Sequence, residues 1–256
     1  MKEFIRKTGA DCSTLVEILH WRAQHQPENQ AYTFLVDGDT EEVSITYKQL
    51  HKQVKAIAIK LLSAGQTGDR ALLLYPPGPE FIKAYLGCLY SGIVAVPIYP
   101  PHPARLEKTM PKVMAVINDA KPSIALTTSS ILDKIANSFM QKPDINIMRW
   151  LSTGEVVEDL AEKWQEREIR RDGIAFLQYT SGSTSRPRGV MVSHDNLMYN
   201  LNLIQRYYEH SQDSHGVIWL PPYHDMGLIG GILQPLYSGF PVTLMSPISF
   251  LQRPYR

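Results

Sequence analysis

The feature that most constrains this chain is a repeated alternation, from residue 71 onward, of short apolar runs with helical segments. Residues 71–75, 94–99, 124–127 and 145–151 each read as a strand. Between them, Pro79 opens a helix that runs to about Tyr90, and Gly92 closes it. A second helix covers Leu106 to Ala120, with Pro111 as the place where it would kink. A third lies near 131–139, and a charged one covers about 156–167. Strands joined through helices argue for an α/β fold of mostly parallel sheets flanked by helices. In such a fold, ligand loops sit at the carboxyl ends of the strands.

Ahead of this alternation, Leu15, Ile18, Leu19 and Ala23 fall at helical spacing and Pro27 stops the run. Residues 31–36 and 43–46 read as a hairpin around Asp37-Gly38. Thr46, with Gln49 three residues on, is a capping-box pattern. The helix it opens carries Leu50, Val54, Ile57 and Leu61 on one face and ends near Gly65.

The next informative stretch is Y-T-S-G-S-T-S-R-P-R-G, from Tyr179 to Gly189. It lies between two apolar runs, 174–177 and 190–192, each of which reads as a buried strand. A loop so dense in small hydroxyl side chains and backbone N–H groups can wrap a polyphosphate. Gly182 lets the backbone approach an anion closely, and Arg186 and Arg188 add charge that phosphate oxygens would take. A Ser/Gly linker has similar composition, but linkers do not usually sit between two strands a few residues apart. A Walker-type loop fails on spacing, because counted from Gly182 its second glycine falls on Pro187.

A second constellation follows a strand at 216–220. Pro221-Pro222 forces an extended exit, and then come Tyr223, His224 and Asp225, with Gly227, Gly230 and Gly231 spaced through an apolar helix or turn. A lone histidine is more often a half-buried hydrogen-bonded residue than a functional one. Asp225 suits a helix N-cap, and the run from Met226 to Leu236 would on its own be core.

Composition sets outer bounds. A net charge of +1 gives no general reason to expect nucleic acid or an anionic membrane as partner. The two cysteines, Cys12 and Cys88, are too few for a disulfide framework and read as packing residues. No stretch approaches the ~18 apolar residues of a membrane span, and the basic N-terminus lacks the apolar core of a secretory signal. The expectation is a cytoplasmic location.

The loop from Tyr179 to Gly189, with the V-M-V-S-H that follows it, resembles the phosphate-binding signature of the adenylate-forming ligase superfamily. The usual pattern has Gly at Ser185 and Lys at Arg188. A guanidinium binds as a planar fork where an ammonium binds as a point. L-P-P-Y-H-D-M-G-L-I-G-G-I-L, from Leu220, is most similar to the fatty acyl-AMP ligase branch, as are V-P-I-Y-P-P from Val96 and S-P-I-S-F-L-Q-R-P from Ser246.

The resemblance implies ATP and Mg²⁺ as cofactors and a fatty acid as substrate, joined as acyl-adenylate with release of pyrophosphate. It implies an acyl carrier protein, or the carrier domain of a polyketide synthase, as acceptor. Thr180, Ser181, Gly182, Ser183, Thr184 and Gly189 would hold the nucleotide phosphates, with Arg188 in the usual lysine position. His224 would border the point where carboxylate meets α-phosphate. Tyr223, Met226, Gly227, Leu228 and Gly230 would bind the acyl substrate, the last four at the mouth of its tunnel. No residue is assigned to a metal. The superfamily pattern continues into an adenine-binding motif, a hinge and a small C-terminal domain with a catalytic lysine. On that basis 1–256 is expected to be part of the N-terminal AMP-binding domain, incomplete for catalysis. A fatty acyl-CoA synthetase, a non-catalytic nucleotide- or carrier-binding remnant and an amino-acid adenylation domain stand as alternatives.

Overall fold

The computed structural model describes residues 12–101, 106–133, 148–154, 158–180 and 187–255. Helix α1 (Leu15–His25) starts where the Thr14 side chain accepts from the Glu17 N–H. It is followed by the antiparallel pair β1 (Gln30–Leu35) and β2 (Glu42–Thr46). In the turn between them, Asp37 Oδ1 accepts from the backbone N–H groups of Asp39, Thr40 and Glu41. Helix α2 (Tyr47–Ala64) opens with the reciprocal Thr46–Gln49 capping box. Leu50, Val54, Ile57 and Leu61 form its buried face, each worth about 1.5–3 kcal/mol of transfer free energy.

The alternation then delivers β3 (Arg70–Leu74), α3 (Pro79–Ser91), β4 (Val94–Pro97), α4 (Leu106–Ala120), β5 (Ile124–Thr127) and β6 (Arg149–Ser152). Gly92 closes α3 in the left-handed region, at φ 69°, where a side chain would be strained. α4 runs through Pro111 without ending. β7 (Ile174–Thr180) and β8 (Arg188–Ser193) form an antiparallel pair, followed by α5 (His194–Tyr207), β9 (Gly216–Ile218), a π-helix (Met226–Leu233), α6 (Gln234–Ser238), β10 (Val242–Met245) and α7 (Pro247–Gln252).

The strands build two sheets. One is six-stranded, in the order β6-β5-β3-β4-β7-β8, parallel except for the last strand. The other is four-stranded, β2-β1-β10-β9, and β10 brings the far end of the chain between two earlier strands. Along β3, Ala71 and Leu73 face the main core while Leu72 and Leu74 face a second core with α4. Both faces of that strand are covered, so it reads as a continuous apolar run. Cys88 is fully buried in α3, and burial raises its thiol pKa, in keeping with a packing role.

Several expectations need correction. The charged helix expected over 156–167 is, in the described residues, a single 3₁₀ stretch (Glu158–Lys163), and 164–170 has no regular secondary structure. Beyond Trp164 the chain offers no repeated apolar position, and a short helix without a packed face is marginal in water. The run 190–192 is not a buried strand. β8 is the sheet edge, and Val190 and Met191 are exposed. The strands expected at 94–99 and 216–220 end earlier, at Pro97 and Ile218. The helix expected near 131–139 is helical over 129–133, and its remainder lies outside the described residues, as do the first residues of the strand expected at 145–151.

Candidate functional site at the carboxyl end of β7

β7 emerges from the six-stranded sheet at the carboxyl end of its parallel strands, and the hydroxyl-rich loop begins there. Thr180 is its last residue and is exposed; Arg188, its register partner, opens β8 and is also exposed. Thr180 and Arg188 therefore flank the loop's two ends. Ser181, Gly182, Ser183 and Thr184 lie outside the described residues, as does Arg186.

The loop's entry is fixed by Tyr179. Its hydroxyl donates to Asp119 Oδ2 at 2.5 Å, tying β7 to α4. Burial and that acidic partner raise the phenol's pKa, so it stays protonated and donates. The ring lies across Gly189: a Cβ there would come within 2.8 Å of Tyr179 Cζ. Gly189 thus has a packing reason to be glycine, whatever it contributes to ligand.

The histidine segment approaches from the other side. After β9 the chain turns at 221–224, where the His224 N–H donates to the Pro221 carbonyl at 3.1 Å. The side-chain amide of Gln178 in β7 donates to the Tyr223 carbonyl at 3.1 Å, joining the two motifs directly. The Tyr223 ring packs edge-on against Tyr99, centroids 4.7 Å apart. Burial, reinforced by Tyr99, raises the Tyr223 pKa and keeps it neutral. His224 is open to solvent rather than half-buried, with Nδ1 2.6 Å from Asp225 Oδ1. Asp225 caps the π-helix, its Oδ1 accepting from the Met226 N–H at 2.8 Å.

The four residues expected at a tunnel mouth take different positions. Met226 is exposed, and Leu228 is fully buried in the main core. Gly227 is pressed on the Pro221 backbone, where a Cβ would lie 2.1 Å from the carbonyl oxygen, whereas a Cβ on Gly230 would meet nothing within 4 Å. Beside the π-helix an open cavity of about 510 Å³ is lined by Val192, Asp195, Leu197, Tyr199 and Ile229 among others. Among the described residues no group of three His, Cys, Asp or Glu side chains could hold a metal ion, and no helix is long and apolar enough to cross a membrane.

Gln178 is a site residue that sequence reasoning misses, and Tyr99 enters it only as part of V-P-I-Y-P-P, with no role of its own. Gln178 carried one signal, a long polar side chain directly after the apolar run 174–177.

Comparison with known proteins places this arrangement. The model of the family described as "AMP-binding enzyme" matches residues 19–255. The chain is 42% identical over 245 residues to the medium-chain-fatty-acid–[acyl-carrier-protein] ligase JamA of Moorena producens, covering 95% of this chain and 41% of that protein. It is 35% identical over 243 residues to a long-chain-fatty-acid–AMP ligase of Mycobacterium tuberculosis, covering 91% and 41%. Among solved structures it resembles the fatty acyl-adenylate ligase from L. pneumophila in complex with acyl adenylate and pyrophosphate, with TM-score 0.86 and 43% identity over 95% of this chain and 41% of that one. The chain thus spans about two-fifths of the length of these relatives. The loop signature, the α/β fold and the family match agree: the chain belongs to the AMP-binding enzyme family.

Proposed function

We propose that the protein of which this chain is a part activates a fatty acid with ATP, forming an acyl-adenylate and pyrophosphate, and passes the acyl group to a carrier protein. The observation that carries the reading is the convergence at the end of β7. The strand entering the phosphate loop and the turn bearing His224 are joined there by the Gln178–Tyr223 bond. Similarity to ligases named for fatty acids supports the substrate class.

Thr180, Ser181, Gly182, Ser183 and Thr184 would hold the nucleotide phosphates. Arg188, exposed and without an ion pair among the described residues, would supply positive charge to them. His224 would orient the carboxylate for attack on the α-phosphorus. The step forms a carboxylate-oxygen–phosphorus bond and breaks the bond to the pyrophosphate leaving group. Catalysis of this kind is mostly positioning and electrostatics. Mg²⁺ usually keeps several waters and binds substrate phosphates, so few protein ligands are needed; it would neutralise the leaving group's charge. Of the four residues expected at a tunnel mouth, Met226 and Gly230, which have open space beside them, would line the acyl path, and the apolar wall at Leu197 and Ile229 gives an alkyl chain a neighbouring surface.

The test uses the full-length protein with ATP, Mg²⁺ and fatty acids of graded length. Fatty-acid-dependent pyrophosphate release supports the reading, and its absence refutes it. Acceptors are then offered separately. Transfer to a phosphopantetheinylated carrier protein supports the carrier assignment, whereas efficient acyl-CoA formation from added CoA overturns it in favour of an acyl-CoA synthetase.

A further inference from the structure

Gln178 sits in β7 behind three buried apolar residues, Ala175, Phe176 and Leu177, and is itself only 7% exposed. Its Nε2 donates to the Tyr223 carbonyl, but its Oε1 is buried with no hydrogen-bond partner among the described residues. A buried amide with one end unsatisfied is a poor choice for stability, since an apolar side chain of similar size would avoid that loss. Packing alone therefore does not explain a glutamine here. The bond it makes does. Two residues before the phosphate loop, it grips the carbonyl immediately before His224. The Tyr99 ring packs against the ring of the same tyrosine.

We infer that Gln178 is a positioning residue, whose amide N–H fixes the Tyr223 carbonyl and thereby sets His224 relative to the carboxyl end of β7. The inference rests on the adenylating reading of this site. Gln178 touches neither ATP nor fatty acid in this scheme. It joins β7 to the 221–224 turn, where a misplacement of about 1 Å can cost on the order of 100-fold in rate.

The experiment compares Gln178→Leu, Gln178→Met and Gln178→Glu with the parent in the full-length protein. Backbone hydrogen exchange is read first, because it does not depend on activity. The leucine and methionine variants should exchange faster across 221–228, by about tenfold, with the amides of α2 unchanged, since the protecting anchor of the turn is gone. In steady state, kcat for pyrophosphate release should fall about tenfold or more while KM for ATP stays within about threefold, the signature of lost transition-state positioning. Gln178→Glu adds a pH signature. A carboxylate has no donor for the Tyr223 carbonyl, but a carboxylic acid does, and burial raises a carboxyl pKa. Its activity relative to the parent should therefore climb several-fold from about pH 8 to about pH 6.

Unchanged exchange at 221–228, faster exchange throughout the protein, or a pH-independent ratio for Gln178→Glu would each overturn the inference. A parent that releases no pyrophosphate with any fatty acid would refute the functional reading instead, and the exchange measurement alone would then decide whether Gln178 anchors the turn.

Discussion

Gly227 offers a sharp structural test, because what blocks a side chain there is backbone. A Cβ at this position would lie 2.1 Å from the Pro221 carbonyl oxygen, 2.8 Å from the Pro221 carbonyl carbon and 3.1 Å from the Leu220 carbonyl oxygen. Ordinary contact begins near 3.5 Å, so Gly227→Ala requires the π-helix and the 221–224 turn to part by more than 1 Å. No flexible side chain can rotate out of the way. Overpacking of this kind costs about 1–3 kcal/mol, and the backbone contact puts Gly227→Ala at the upper end. At about 2–4 °C per kcal/mol for a chain of this size, the unfolding midpoint should fall by about 6–12 °C. Gly230→Ala is the internal control. With nothing within 4 Å of its Cβ, it should leave the midpoint unchanged or raise it, since alanine favours helix over glycine by up to about 1 kcal/mol. Both are read by thermal unfolding followed by far-UV circular dichroism. A Gly227→Ala midpoint within about 2 °C of the parent, or equal losses for the two variants, would refute the reasoning.

Three further outcomes follow from the same coordinates. Arg22 is fully buried and donates to the carbonyls of Leu236 and Tyr237, both at 2.6 Å; Arg22→Ala strands both acceptors and should cost about 3 kcal/mol in urea unfolding, and a loss below about 1 kcal/mol would contradict that role. Burial pulls the His194 pKa from its ordinary 6.5 down to about 4, against the opposing pull of Asp195. Between those values the unfolded chain binds the proton and the folded chain does not, so this contribution is present above about pH 6.5 and lost as pH falls toward 4, a change of about 3 kcal/mol that His194→Gln should remove. If the urea midpoint of His194→Gln kept the parent's pH slope, the assignment would fail. On the proposed function, Gly230→Trp in the full-length protein should shift preference toward shorter fatty acids, and an unchanged chain-length profile would remove Gly230 from the acyl path.

Much of the frame is visible in the sequence because it is set by local physics. The Thr46–Gln49 capping box, the buried face of α2 and the glycine stop at Gly92 each depend on a few neighbouring residues, and each is formed. The parallel strands were legible because both faces are buried, which leaves no polar interruption. What failed depended on partners far along the chain. Val190 and Met191 have the composition of a buried strand, but only the sheet order reveals that β8 is the last strand of its sheet among the described residues. Periodicity does not distinguish a π-helix from an α-helix over eight residues, and the winding at 226–233 brings Gly227 onto Pro221 and Gly231 onto Ile218. From the residues alone the candidate site was legible as two motifs, and only the family resemblance implied that they form one place. Their meeting rests on Gln178 reaching Tyr223 across 45 residues of sequence; a polar side chain after an apolar run marks Gln178 locally, but nothing local names its partner.

The pairing of Thr180 with Arg188 would bear on ligand affinity if the loop holds phosphate as proposed. These residues are register partners in an antiparallel ladder, so the ends of the intervening segment, 181–187, are already side by side before anything binds. Bringing the ends of a free segment together carries an entropic cost that grows with the logarithm of its length. Here the β7–β8 ladder bears that cost as part of folding. On the proposed function, a polyphosphate held by this segment would not have to meet that closure cost, which would leave more of the contact free energy to appear as binding. On that reading the hairpin would act on affinity without touching the ligand, and loosening its Tyr179–Gly189 rung would weaken nucleotide binding through the closure entropy.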